Sequence, residues 1–181
     1  LRGCFLAAKK VAVALDTLIR TQFPHDDLAV VGFAYYAREL RPEALAFLRG
    51  SDYIVHAGDI GDAAVLVELA AVAPVTAVRG NNDSGAWAEG IAETEVLKVG
   101  GISIYVLHDL AQLDLDPLAA GYQVVVSGHS HKPLLERRGG VLYVNPGSAG
   151  PRRFKLPIAV AELTITARSV EGRVVELAPS R

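Results

Sequence analysis

A chain of 181 residues holds one domain with a full core and is short for two; 51% hydrophobic and 21% charged residues read as soluble and globular. The formal net charge of −2 argues against electrostatic capture of nucleic acid or of an anionic membrane. The single cysteine, Cys4, excludes an internal disulfide and a Cys-rich zinc site, and fits a reducing cytoplasm. No apolar run reaches the length of a membrane span, and the apolar part of Leu1-Arg2-Gly3-Cys4-Phe5-Leu6 is short for a signal peptide. The chain has no methionine, so Leu1 is expected not to be a translation start.

In chain order, Val11, Leu15, Leu18 and Ile19 fall at i, i+4, i+7 and i+8 and predict a helix over 5–23, ended by Pro24 and the polar Asp26-Asp27. His25 then falls in a polar surface loop. The apolar run 28–34 predicts a buried strand. Pro42 in a first turn, Leu45 and Leu48 on one face and Gly50 as a stop predict a second helix. Residues 52–56 and 75–78 read as strands, 63–72 as a helix, with turns at Ala57-Gly58-Asp59 and Gly80-Asn81-Asn82-Asp83. This alternation predicts a parallel α/β sheet. Beyond residue 80 the pattern changes: 94–99 and 102–107 flank Gly100-Gly101 as a hairpin. Further strands are predicted at 124–127, 134–137, 141–144, 158–165 and 174–177. The second half thus reads as mainly antiparallel. The whole predicts one domain built on two sheets with helices outside.

The stretch Gly128-His129-Ser130-His131 follows the strand-forming run Gln123-Val124-Val125-Val126-Ser127. Two imidazoles one residue apart, on a glycine turn after a buried strand, can face one point as a metal cluster requires; a loop that carries two histidines is the other reading of this stretch alone. His56 and His108 also stand at or just beyond predicted strands, and Asp59, Asn81 and Asp83 occupy turns after strands. Singly, each reads as a turn-former or a satisfied polar residue. Jointly they gather at strand ends, where ligand sites of α/β sheets form. Carboxylate, amide oxygen and imidazole suit Mn, Fe, Ni or Zn.

His56-Ala57-Gly58-Asp59, Gly80-Asn81-Asn82-Asp83, His108, Gly128-His129-Ser130-His131 and Asn145-Pro146-Gly147-Ser148 occur in the order of the calcineurin-like metallophosphoesterases. Over about 40–178 the chain resembles their small bacterial and archaeal phosphodiesterase subfamily. The resemblance implies a four-layer αββα sandwich of two mixed sheets. It also implies a site for one or two divalent ions that activates water against a phosphate ester. In that site Asp59 bridges, Asn81, His108 and His129 complete the second metal, and His131 belongs to the first. Asn82 stands where relatives often carry histidine or cysteine near the leaving group, and Asp83 either orients Asn82 or is a solvated turn carboxylate. His56 is expected behind the ligands or in packing.

The family opens with a strand ending in Asp-x-His-Gly, and the corresponding positions here hold Tyr35 and Ala37. Alanine binds no metal, and a tyrosine near its reference pKa of about 10 is a poor ligand; Glu39 is the nearby carboxylate. Residues 1–39 resemble instead a fragment of a von Willebrand factor A-type domain. Its helix and strand would replace the usual first strand, and the first-metal site would be incomplete. Two functions follow. One is a phosphodiester or phosphomonoester hydrolase of impaired activity. It would act on a small phosphate-ester substrate, with no membrane partner and no strong nucleic-acid signal, and homo-oligomerisation is left open. The other is a protein-interaction module on the same fold, by analogy with the eukaryotic retromer subunit that shares it.

Overall fold

The computed structural model describes residues 25–31, 41–152, 155–167 and 169–177, the first segment as backbone. The predicted helix over 5–23, Tyr35, Ala37 and Glu39 lie outside the described residues.

In order, the elements are β1 (His25–Val31), α1 (Pro42–Leu48), β2 (Tyr53–His56), α2 (Ala63–Ala70), β3 (Val75–Ala77), α3 (Ala86–Glu89), β4 (Thr94–Val99), β5 (Ile102–Leu107), a 3-10 turn (Leu110–Gln112), β6 (Val124–Val126), β7 (Leu134–Arg138), β8 (Val141–Asn145), β9 (Ala159–Thr166) and β10 (Val170–Glu176). They form two five-stranded sheets, β10-β9-β1-β2-β3 and β4-β5-β6-β8-β7. In the first, β1, β2 and β3 run parallel, with β9 and then β10 added antiparallel. In the second, β5, β6 and β8 run parallel, flanked by antiparallel β4 and β7.

The second half is mainly antiparallel, as the sequence suggests: β4–β5, β7–β8 and β9–β10 are antiparallel hairpins. Between two of them the Val124–Val126 run is parallel to both β5 and β8. Such a run, buried on both faces, is what a central parallel strand requires. One sequence expectation needs correction: His25 is not in a loop. It opens β1, its backbone paired with Thr166 across the sheet, while Leu28 pairs with Tyr53 and Val31 with His56. The strand ahead of Pro42 therefore lies between β9 and β2 and opens three residues before the apolar run.

The sheets pack face to face on Val55, Ala57, Ile104, Val106, Val124, Val126, Val144, Leu163 and Ile165, all essentially without exposure. Burial of each such aliphatic side chain is worth about 1.5–3 kcal/mol. Helices α1 and α2 cover the outer face of the first sheet, burying Ala44, Leu48, Val65 and Leu69 against Ile54 and Val160. Pro42 at the start of α1, Gly50 at φ 93 beyond its end and the Asp62 carboxylate capping the Ala64 N–H of α2 set the helix limits. The outer face of the second sheet is thinner: Leu107, Val125 and Val141 are covered by Leu110 and Leu113 of the 3-10 turn region. No described helix is long and apolar enough to cross a membrane.

Candidate metal centre

The parallel strands β2, β3, β5 and β6 deliver Asp59, Asn81, His108 and His129 to one rim of the sandwich. Three side chains there sit on unusual backbone. Asp59 (φ 57), His129 (φ 59) and His131 (φ 55) are the only non-glycine residues with positive φ among the described residues. Left-handed backbone costs an L-residue roughly 1–2 kcal/mol. It is found at sites where the surroundings fix it for a purpose. Here it turns each side chain sharply out of its strand direction.

Close backbone approach makes this possible. A Cβ on Gly80 would overlap the main-chain nitrogen and the carboxylate of Asp59, and one on Gly128 would stand 2.6 Å from the Ala57 carbonyl oxygen. Alanine is excluded at both, so the turns after β2, β3 and β6 lie against each other. Asp83 ties two of them. Its side chain is 8% exposed, and it accepts from the Gly61 N–H at 2.9 Å and the Gly80 N–H at 2.8 Å. It is therefore no solvated carboxylate. Asn145 ties the third: its amide nitrogen donates to the Gly128 carbonyl and to Ser130 Oγ at 3.1 Å, and its Oδ1 accepts from the Gly147 N–H.

Within this frame the tautomer of His108 follows from its partner. Nδ1 lies 2.7 Å from the Ala57 carbonyl oxygen, which can only accept, so Nδ1 carries the hydrogen and Nε2 of the neutral ring presents a lone pair. That lone pair faces Asn81 Oδ1 at 3.0 Å, His129 Nδ1 at 3.3 Å and Asp59 Oδ1 at 3.4 Å. His129 Nδ1 is also 3.0 Å from Asn81 Oδ1, and its other nitrogen faces Asp109 Oδ2 at 3.9 Å. In the tautomer with the His129 hydrogen on Nε2, four electron-pair donors face one point, and a positive ion at their centre would satisfy all four. Donors about 2.1 Å from one ion, at tetrahedral or octahedral angles, stand about 3.0–3.4 Å apart, which is the observed spread. Among the described residues no three His, Cys, Asp or Glu side chains form a metal-holding group by themselves. The Asn81 amide oxygen joins the set, close to both imidazoles.

The remaining expected residues fall around this cluster. His131 is buried, 5% exposed. Asn82 turns inward: its main-chain N–H donates to Asp59 Oδ1 at 3.0 Å and its side-chain amide to Oδ2 at 2.8 Å. His56 is fully buried at the end of β2, where Nδ1 accepts from the Gly58 N–H. Burial, then the neighbouring His108, push its pKa down to about 3 and keep it neutral. Sequence reasoning missed Asp109, whose signal was only its place beside His108, and the role of Asn145 as the clamp on the histidine turn.

The family model of the calcineurin-like phosphoesterase superfamily domain matches residues 25–168. A probable metallophosphoesterase of Methanothermobacter thermautotrophicus is 34% identical over 142 residues, 74% of this chain and 81% of that protein. Vacuolar Protein Sorting 29 from Cryptosporidium parvum has a similar structure, with a TM-score of 0.72 at 21% identity, covering 85% of this chain and 92% of that one. An archaeal phosphodiesterase superposes with a TM-score of 0.67 at 18% identity, covering 82% of this chain and 99% of its own.

Proposed function

Because the chain belongs to the calcineurin-like phosphoesterase superfamily, we propose that it hydrolyses phosphate esters with the help of a divalent ion held by Asp59, Asn81, His108 and His129. The observation that carries the reading is the meeting of these four side chains at 3.0–3.4 Å. Such a mixed oxygen and nitrogen set accepts Mn, Fe, Ni or Zn. The ion, when bound, supplies Lewis acidity to a phosphoryl oxygen and lowers the pKa of water.

The chain's own residues do the positioning. Ala57 holds His108 in the tautomer that leaves Nε2 free to ligate, and Asp109 stands 3.9 Å from Nε2 of His129. Asp83 and Asn145 fix the turns that carry the ligands. Asn82 is not a general acid, because a neutral amide gives up no proton to a departing oxygen; esters with good leaving groups are favoured. The first-metal side of the site is incomplete in this reading, since Tyr35 and Ala37 replace an aspartate and a histidine. Residues 1–39 are a segment foreign to the family in the same reading, and the site works in a reducing cytoplasm.

The test is ion stoichiometry with turnover. Purified protein titrated with Mn²⁺ or Zn²⁺ should bind one ion tightly, lose it in His129→Ala, and hydrolyse bis(4-nitrophenyl) phosphate slowly. Two tight ions with ordinary turnover would remove the incomplete-site reading. A tight ion without turnover, unchanged when Tyr35→Asp and Ala37→His are introduced together, would favour the interaction module. The sharing of this fold with Vacuolar Protein Sorting 29 supports that second reading.

A further inference from the structure

Beside the metal-holding cluster lies a cleft of about 390 Å³. It shares walls with the cluster: Asp109, which faces His129, and Gly128 and Ser130, which flank it. The rest of its lining is of another character. Leu110, Pro133 and Leu134 make it largely apolar, and Lys132 stands on it as a cation. Ser127, 3% exposed, adds a hydroxyl to the lining.

We infer that this cleft receives the organic substituent of a phosphodiester whose phosphorus sits at the Asp59–Asn81–His108–His129 cluster. That substituent is an aromatic or heteroaromatic ring with a hydrogen-bonding edge. The apolar walls of Leu110, Pro133 and Leu134 take the faces of the ring, and Ser127 and Lys132 meet its polar edge. Shared walls place the ring within one ester linkage of the ligand set, and the volume admits a ring of aryl or nucleobase size. This assignment rests on the phosphoesterase reading and names the substrate class for it.

The experiment compares two diesters with one leaving group and one charge, bis(4-nitrophenyl) phosphate and methyl 4-nitrophenyl phosphate, on the Mn²⁺-loaded protein. The ratio of their kcat/KM values, divided by the ratio of their hydrolysis rates in solution, reports the cleft alone. We expect about tenfold or more in favour of the aryl ester, the size of discrimination an apolar pocket gives. The ratio should fall several-fold in Leu134→Ser and in Leu110→Ser, and by a smaller factor in Ser127→Ala, which preserves volume. A normalised ratio near one in the wild type, with both esters turned over, overturns the cleft assignment and leaves the phosphoesterase reading standing. Turnover of neither ester overturns both. A ratio that survives in all three variants overturns the assignment to these residues.

Discussion

Asn82 closes on Asp59 with two hydrogen bonds, its main-chain N–H on Oδ1 at 3.0 Å and its side-chain amide on Oδ2 at 2.8 Å. Both oxygens of the Asp59 carboxylate are thereby held by one residue, and an ion that takes Oδ2 competes with the amide. A hydrogen bond of this kind, partly buried, is worth about 1 kcal/mol net. In Asn82→Ala the metal-free protein should melt a few degrees lower. Its affinity for Mn²⁺ or Zn²⁺ should rise about fivefold, the factor equivalent to that energy. Calorimetric titration beside thermal unfolding in EDTA checks both; a fall in ion affinity would show instead that Asn82 helps to hold the ion.

Asp83 spends its two oxygens on the Gly61 and Gly80 N–H groups, which belong to the turns carrying Asp59 and Asn81. In Asp83→Asn one acceptor becomes an NH₂ facing an N–H, at a cost of about 1–3 kcal/mol for the buried donor left unmade. The expected outcome is lower stability and weaker ion binding, with kcat at saturating ion changed little. Lost kcat at full ion occupancy and unchanged stability would place Asp83 on the reacting atoms instead.

Asn145 holds the histidine turn through Gly128 and Ser130 while steadying Gly147 on its own strand end. The side chain is 3% exposed, so Asn145→Ala should cost about 2–3 kcal/mol in urea unfolding and weaken ion binding through misplacement of His129. Asn145→Asp should not rescue it, because a carboxylate oxygen would face the Gly128 carbonyl where the amide donates. Recovery in the aspartate variant would count against the clamp.

Some of this was legible in the residues and some was not, for physical reasons. The β4–β5 hairpin could be read because Gly100-Gly101 interrupts two strand runs, and the two strands occupy the spans the sequence predicts. The parallel pairing of β6 could not, since Val124–Val126 is equally apolar for either direction. Nor could α3, whose four residues are too few to show a helical period. His25 was misplaced because Pro24 and Asp26-Asp27 look like a loop, while its pairing with Thr166 is far away in sequence. At the site, residue type and strand ends gathered Asp59, Asn81, His108 and His129 among other candidates, and the family resemblance singled them out. The positive φ of Asp59, His129 and His131 was hidden, because only glycine advertises such backbone by its identity. The Ala57 carbonyl that fixes the His108 tautomer has no side-chain signature at all.

His56 makes stability depend on pH with a definite sign. Its pKa drops from 6.5 to about 3 on folding, first through burial and then through His108. Between those values the unfolded chain binds a proton at this position that the folded chain does not, so stability rises with pH across that window. The contribution is fully present above about pH 6.5 and is lost as pH falls toward 3. At about 1.4 kcal/mol per unit, roughly 2 kcal/mol should be gone by pH 5. His56→Asn offers the Gly58 N–H an acceptor that does not titrate. Urea unfolding of both proteins in EDTA, at pH 7.5 and pH 5, should show the wild type losing about 2 kcal/mol more than the variant. Equal losses would mean that His56 takes its proton in the folded state as readily as in the unfolded one.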